Sequence, residues 1–188
     1  SKTGSTELKM EQGVAIDKGF ASPYFVTDSA KGECVLENPL IFITDTKLRA
    51  QHEIAHIMEM AAQRHRPLLV IADETDSMAL QTMVVNKMRG TIMCAAVNAP
   101  SFGDNRMEML KDLAALTSST LVTTKSGARI EDTPFSAFGS ADKIIITKGK
   151  TVFVNPTHNV TEVENRSTEI RTHLTIEQDA YLRTRLQK

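Results

Sequence analysis

Between Asn38 and Val97 the chain alternates short apolar runs with longer stretches in which apolar positions recur every three or four residues. Pro39–Thr44 (PLIFIT), Leu68–Ala72 (LLVIA) and Thr91–Val97 (TIMCAAV) have strand length and little polar alternation, the pattern of strands covered on both faces. Leu48, Ile54, Ile57, Met58 and Ala61 fall at helical spacing between Thr46 and Arg64. Pro67 closes that helix, because proline disfavours the αR region in the residue before it. A second helix starts at Asp76 or Ser77, either of which can cap it, and runs through Leu80, Met83, Val84 and Met88 to a stop at Gly90. Strands alternating with helices predict parallel pairing through crossovers, and so an α/β core.

The flanks add smaller elements. Val14 and Ile16 alternate as in a strand, and Cys34–Leu36 reads as another. Met107, Leu110, Leu113 and Leu116 form one helical face within Arg106–Leu116, and Thr120–Thr123 supplies a fourth strand to the parallel set. Ala128–Phe138 is irregular. Lys143–Thr147 and Thr151–Val154 flank Lys148-Gly149-Lys150 as a β-hairpin. Residues 1–10 form a polar lead-in. From Thr161 the pattern is polar and helical, two helices broken near Thr175, with Val163, Ile170, Leu174, Ile176, Tyr181, Leu182 and Leu186 as their apolar positions. The expected architecture is a parallel β-sheet core between helices, flanked by short antiparallel strands, in one domain over 11–188.

Composition narrows the function classes. A chain of 188 residues can bury a full core without disulfides or metal. Its net charge of -1, with acids and bases interspersed, gives nucleic-acid binding no electrostatic support. Cys34 and Cys94 are far apart and form no CxxC pair, which suits a reducing compartment and a structural role for the buried Cys94. No apolar run reaches the ~18 residues of a membrane span. The chain starts at Ser1 without a signal peptide, as expected of a fragment excised from a longer protein.

The sharpest chemical motif is His52-Glu53-Ile54-Ala55-His56, an H-E-x-x-H. On a helix its histidines share a face and can hold zinc, with the glutamate as general base. A third ligand would come from Glu59, His65, His158 or His173, none at a zincin spacing. There is no P-loop, no G-x-G-x-x-G and no nucleophile elbow, and Ser101-Phe102-Gly103-Asp104 is a turn and helix cap. The other unusual feature is apolar surplus. Phe20–Phe25 (FASPYF) packs three aromatics around Pro23, and Met58, Met60, Met83 and Met88 enrich the two central helices. Flexible methionine suits surfaces that accept many partners.

Four separated blocks, in order, resemble the apical domain of group I chaperonins, the GroEL type. They are Phe20-Ala-Ser-Pro-Tyr-Phe25, Arg66-Pro-Leu-Leu-Val-Ile-Ala72, Leu80–Arg89 with Gly90, and Ala96–Asp104 (AVNAPSFGD). The resemblance runs in register from about Glu11 to Lys188, with Leu182–Lys188 similar to the return toward the intermediate domain. It implies a molecular chaperone that binds exposed hydrophobic segments of non-native polypeptides and the mobile loop of a GroES-type co-chaperonin. The implied binding positions are Phe20, Tyr24, Phe25, Ala55, Met58, Leu80, Val84 and Val85, with Ser22 and Asn86 as polar neighbours.

The resemblance further implies a parent that is a homo-oligomeric ring using ATP and magnesium in an equatorial domain. The fragment itself would be monomeric, without cofactor or enzymatic activity, and cytoplasmic or in an organelle of bacterial descent. Ala55 departs from the family's usual leucine, His56 from an apolar or proline position, Ser101 from a glycine and Phe20 from tyrosine. The competing expectations are a zinc metallopeptidase on His52, Glu53 and His56, and a scaffold for one specific partner.

Overall fold

The computed structural model describes residues 13–100 and 103–156. The polar lead-in, Ser101 and Phe102, and the two helices expected beyond Thr161 lie outside the described residues. In chain order the elements are β1 (Gly13–Ile16), β2 (Cys34–Glu37), β3 (Leu40–Thr44), β4 (Lys47–Leu48), α1 (Gln51–Gln63), β5 (Leu68–Ala72) and β6 (Glu74–Thr75). They continue with α2 (Ser77–Met88), β7 (Cys94–Asn98), α3 (Asp104–Thr117), β8 (Leu121–Val122), β9 (Gly139–Ile146) and β10 (Thr151–Pro156). Short 3₁₀ turns occupy Pro23–Phe25, Thr124–Ser126, Ile130–Asp132 and Phe135–Ala137.

The centre is parallel. β3 pairs with β5, placing Ile41 opposite Leu69, and β5 pairs with β7, placing Val70 opposite Ala96. On its other side β3 takes β8 in parallel at Ile43 and Thr44, and β9 antiparallel at Leu40 and Ile41. The long β9 then leaves this sheet and runs between β2 and β10, both antiparallel to it, with β1 outermost. The fold is therefore mixed α/β, a parallel core flanked by short antiparallel strands.

Handedness places the helices. Right-handed crossovers stepping from β3 to β5 to β7 put α1 and α2 on one face, and the return past β3 to β8 puts α3 on the other. β3 and β5 are consequently buried along their whole length, which is why they read as unbroken apolar runs. Phe42, Phe153, Leu36, Ile54 and Ile57 are among the fully buried side chains. The outer edge of β7 is partly covered, since Ala21 N donates to Ala96 O at 2.8 Å and Phe20 bridges Val97. Gly19 lets the same segment lie against the β9–β10 turn, where a Cβ would strike the backbone of Thr147 and Lys148.

Several element boundaries differ from expectation. α1 begins at Gln51 rather than Thr46, because Lys47 and Leu48 pair with Glu74 and Thr75 in a small parallel ribbon. With no side-chain cap at Ala50, Glu53 folds back and its Oε1 accepts the backbone N–H of Ala50 at 3.0 Å and of Arg49 at 3.2 Å. β7 starts at Cys94, since Gly90 at φ +75 ends α2 in a left-handed turn and the chain needs residues 91–93 to reach the sheet. The hairpin strands are longer than their apolar cores, because β9 reaches back to β3.

Candidate functional site

α1 hides its apolar stripe: Ile54, Ile57, Met58 and Ala61 are all buried. α2 does not. Only Ala79 and Met83 are buried, one turn apart on its inner face. Leu80 and Val84 are half-buried at its flank, packed on the core, and Val85 is half-buried as well. Met78 and Met88 are 57% and 71% exposed. A helix lying on a sheet needs one apolar stripe about 100° wide; α2 is apolar well beyond it.

The aromatic segment docks beside this helix. Ser22 caps the 3₁₀ turn, its Oγ accepting Tyr24 N at 3.2 Å, and Phe25 anchors the turn in the core. Tyr24 is left 65% exposed at the apex. Lys87 of α2 reaches across, and its Nζ donates to the carbonyls of Tyr24 at 2.9 Å and Val26 at 3.0 Å. Lys87 lies three residues after Val84 and seven after Leu80, so all three share one flank of the helix. The fold thus assembles Tyr24, Leu80, Val84 and the apolar ends of α2 from segments more than fifty residues apart.

The expected binding positions divide in two. Tyr24 and Ala55 are exposed, and Phe20, Leu80, Val84, Val85 and Asn86 are half-buried. Phe25 and Met58 are corrections: at 0% and 6% exposure they are core residues that support the surface from beneath. Ser22 is also buried, and its hydroxyl is used in the turn cap. Asn86 turns its amide back on its own helix, Nδ2 donating to Thr82 O at 2.8 Å. Met78, Met93 and Phe135, all exposed apolar residues, were not singled out in the sequence. Met78 could have been, since it falls seven residues before Val85 on the same outer face.

The H-E-x-x-H side chains have other partners. His56 Nε2 donates to Thr133 O at 3.1 Å, and His52 Nε2 lies 3.6 Å from Glu131 Oε2. Glu53 completes the helix cap. Glu131 is held below the usual carboxylate range, first by a backbone hydrogen bond and then by Arg129 and His52. His56 thus ties α1 to the end of the Ile130–Asp132 turn, and His52 lies beside Glu131 within it. Among the described residues no cluster of three His, Cys, Asp or Glu side chains is arranged to hold a metal; His158 and His173 lie outside them.

The two cysteines are free and buried. Burial pushes the Cys34 thiol up to about 11 and the Cys94 thiol up to about 12, against a smaller opposing effect of Lys87 on both. Both stay neutral near pH 7 and are poor nucleophiles. Cys94 Sγ donates to Met83 O at 3.4 Å beneath α2. At the carboxyl ends of β3 and β5, Asp45, Thr46, Lys47, Arg49, Glu53 and Asp73 line an open polar crevice. Its acids are engaged: Asp45 accepts from Thr123, Asp73 pairs with Arg106, and Glu53 caps α1. Among the described residues no helix is long and apolar enough to cross a membrane.

A scan of the chain against models of known protein families finds no match. What the assembled surface can do chemically follows from its make-up: an apolar flank with one aromatic and adaptable methionines offers area rather than a reacting group.

Proposed function

We propose that this chain is a polypeptide-binding domain of the chaperonin apical type, and that it captures non-native proteins on α2 and the adjoining aromatic turn. One observation carries the reading. Where the first helix buries its apolar stripe of Ile54, Ile57, Met58 and Ala61, α2 keeps Met78, Leu80, Val84, Val85 and Met88 wholly or partly outside the core, with Lys87 joining it to the turn that carries Tyr24. Exposed and half-exposed apolar residues gathered on one helix are the mark of a binding surface. Non-native chains supply what it lacks, an apolar strand or helix that gains affinity from buried area with little sequence preference. The four-block resemblance to chaperonin apical domains points the same way. In that setting the co-chaperonin loop would compete for the same face, and ATP would act in the parent ring.

The test is capture of reduced, carboxymethylated lactalbumin, which cannot refold. Wild type should retain it, and Val84→Glu should lose at least tenfold in affinity while its thermal unfolding stays close to wild type. Unchanged capture by Val84→Glu would sink the proposal. Elemental analysis of the same preparation addresses the peptidase: stoichiometric zinc without capture would favour His52, Glu53 and His56 as a metal site. A second, unrelated unfolded client separates a chaperone from a scaffold, because the scaffold would bind neither or only one.

A further inference from the structure

Lys87 is placed unusually for a lysine near the end of a surface helix. The residue is half-buried, and its ammonium reaches toward the aromatic turn. Among the described residues no carboxylate lies within ion-pair reach of it, and its hydrogen bonds go to Tyr24 O and Val26 O. Those carbonyls sit at the end of the Pro23–Phe25 turn, where the last carbonyls of a helical turn lack partners of their own. The neutral thiols of Cys34 and Cys94 nearby offer no counter-charge. Among the described residues the hydrogen bonds of its ammonium thus all go to this turn.

We infer that Lys87 is a positioning residue for the binding surface: it latches the aromatic turn to α2 and holds Tyr24 as a fixed wall beside Leu80 and Val84. The inference rests on the proposed function and adds how that surface is shaped. Without the latch, Phe25 still anchors the turn and Ser22 still caps it. Its outer half, carrying Tyr24, is then tied to α2 only by packing. A preorganised apolar wall binds better than one that must be ordered on contact. Hydrogen bonds to a charged donor are among the stronger ones, so their loss should be measurable locally.

The experiment compares Lys87→Met, which keeps the stem and removes the donors, with Lys87→Arg, which restores them, in the 188-residue chain. Amide exchange of Phe25 and Val26, whose N–H groups donate to Ser22 O and Pro23 O within the turn, should quicken about tenfold or more in Lys87→Met. Exchange in β3, β5 and α1 should not change. The chain has no tryptophan and two tyrosines; in a Tyr181→Phe background, tyrosine anisotropy reports Tyr24 alone and should fall. Capture of carboxymethylated lactalbumin should weaken in Lys87→Met and recover in Lys87→Arg. Unchanged exchange at Phe25 and Val26 overturns the latch. Faster exchange with undiminished capture, where Val84→Glu abolishes capture, overturns the positioning role and leaves the proposed function standing. Capture insensitive to Val84→Glu overturns the function itself, and exchange then still decides whether the latch exists.

Discussion

α1 and α2 have 13 and 12 residues and lie on the same face of the same sheet, yet they spend their apolar residues differently. α1 buries two isoleucines, a methionine and an alanine, and shows Ala55, Glu59 and Gln63 to solvent. α2 buries one alanine and one methionine and leaves its larger apolar residues at the flank or outside. The contrast teaches that apolar content alone does not reveal what a helix is for. What counts is whether the sheet beneath has room for it. Ala79 and Met83 take the buried positions of α2, and among the described residues Leu80, Val84 and Val85 are covered only in part while Met88 is exposed.

Stability measurements can break that comparison. Ile57→Ala, in the saturated helix, should cost about 2–5 kcal/mol in urea denaturation. Val85→Ala, on the outer side of α2, should cost less than about 1 kcal/mol and yet weaken client capture. Equal losses of stability at the two sites would mean that α2 is packed as α1 is, and that its outer face is not spare.

Alkaline pH probes the junction beneath α2. Cys34 and Cys94 have thiols raised from 9.0 to about 11 and about 12 in the folded protein. Folded-state values above the unfolded ones contribute stability that is fully present below pH 9.0 and is lost as pH rises through the folded values. Unfolding midpoints should therefore fall between pH 9.0 and about 11. Cys34→Ala and Cys94→Ala should each flatten that slope, whatever they do to the midpoint itself. An identical slope in both variants would show that the thiols are not held protonated by burial.

The smallest effect is expected away from both helices. Lys47 and Glu74 pair at 3.3 Å across the β4–β6 ribbon, with both side chains about half exposed. Lys47→Ala should change stability by less than about 1 kcal/mol, with any effect vanishing in high salt. A larger, salt-resistant loss would show that the ribbon holds the start of α1 in place, and the comparison of the helices would then have to include it.

Much of this was legible in the chain itself. Unbroken runs such as LIFIT and LLVIA determined buried parallel strands, because only strands covered on both faces tolerate no polar alternation. Gly90 and Pro67 marked helix ends through backbone sterics that act within a few residues. The aromatic turn and the surplus of apolar residues on α2 were likewise visible as composition. The tertiary structure alone decided which of those residues face out. Phe25 and Tyr24 are adjacent in sequence, yet one is in the core and the other at the apex, because a 3₁₀ turn separates their directions. Met58 reads like Met88 and is buried, since α1 presses it onto the core. His52, Glu53 and His56 read as a zinc motif, while His56 bonds Thr133, seventy-seven residues away, His52 lies beside Glu131, and Glu53 caps the helix. Lys87 carries no signal in sequence at all: its role exists only because the fold brings Tyr24 and Val26 within reach of its ammonium. Local sterics and periodicity are written along the chain, whereas exposure is a property of what lies opposite, and that is fixed when distant segments pack.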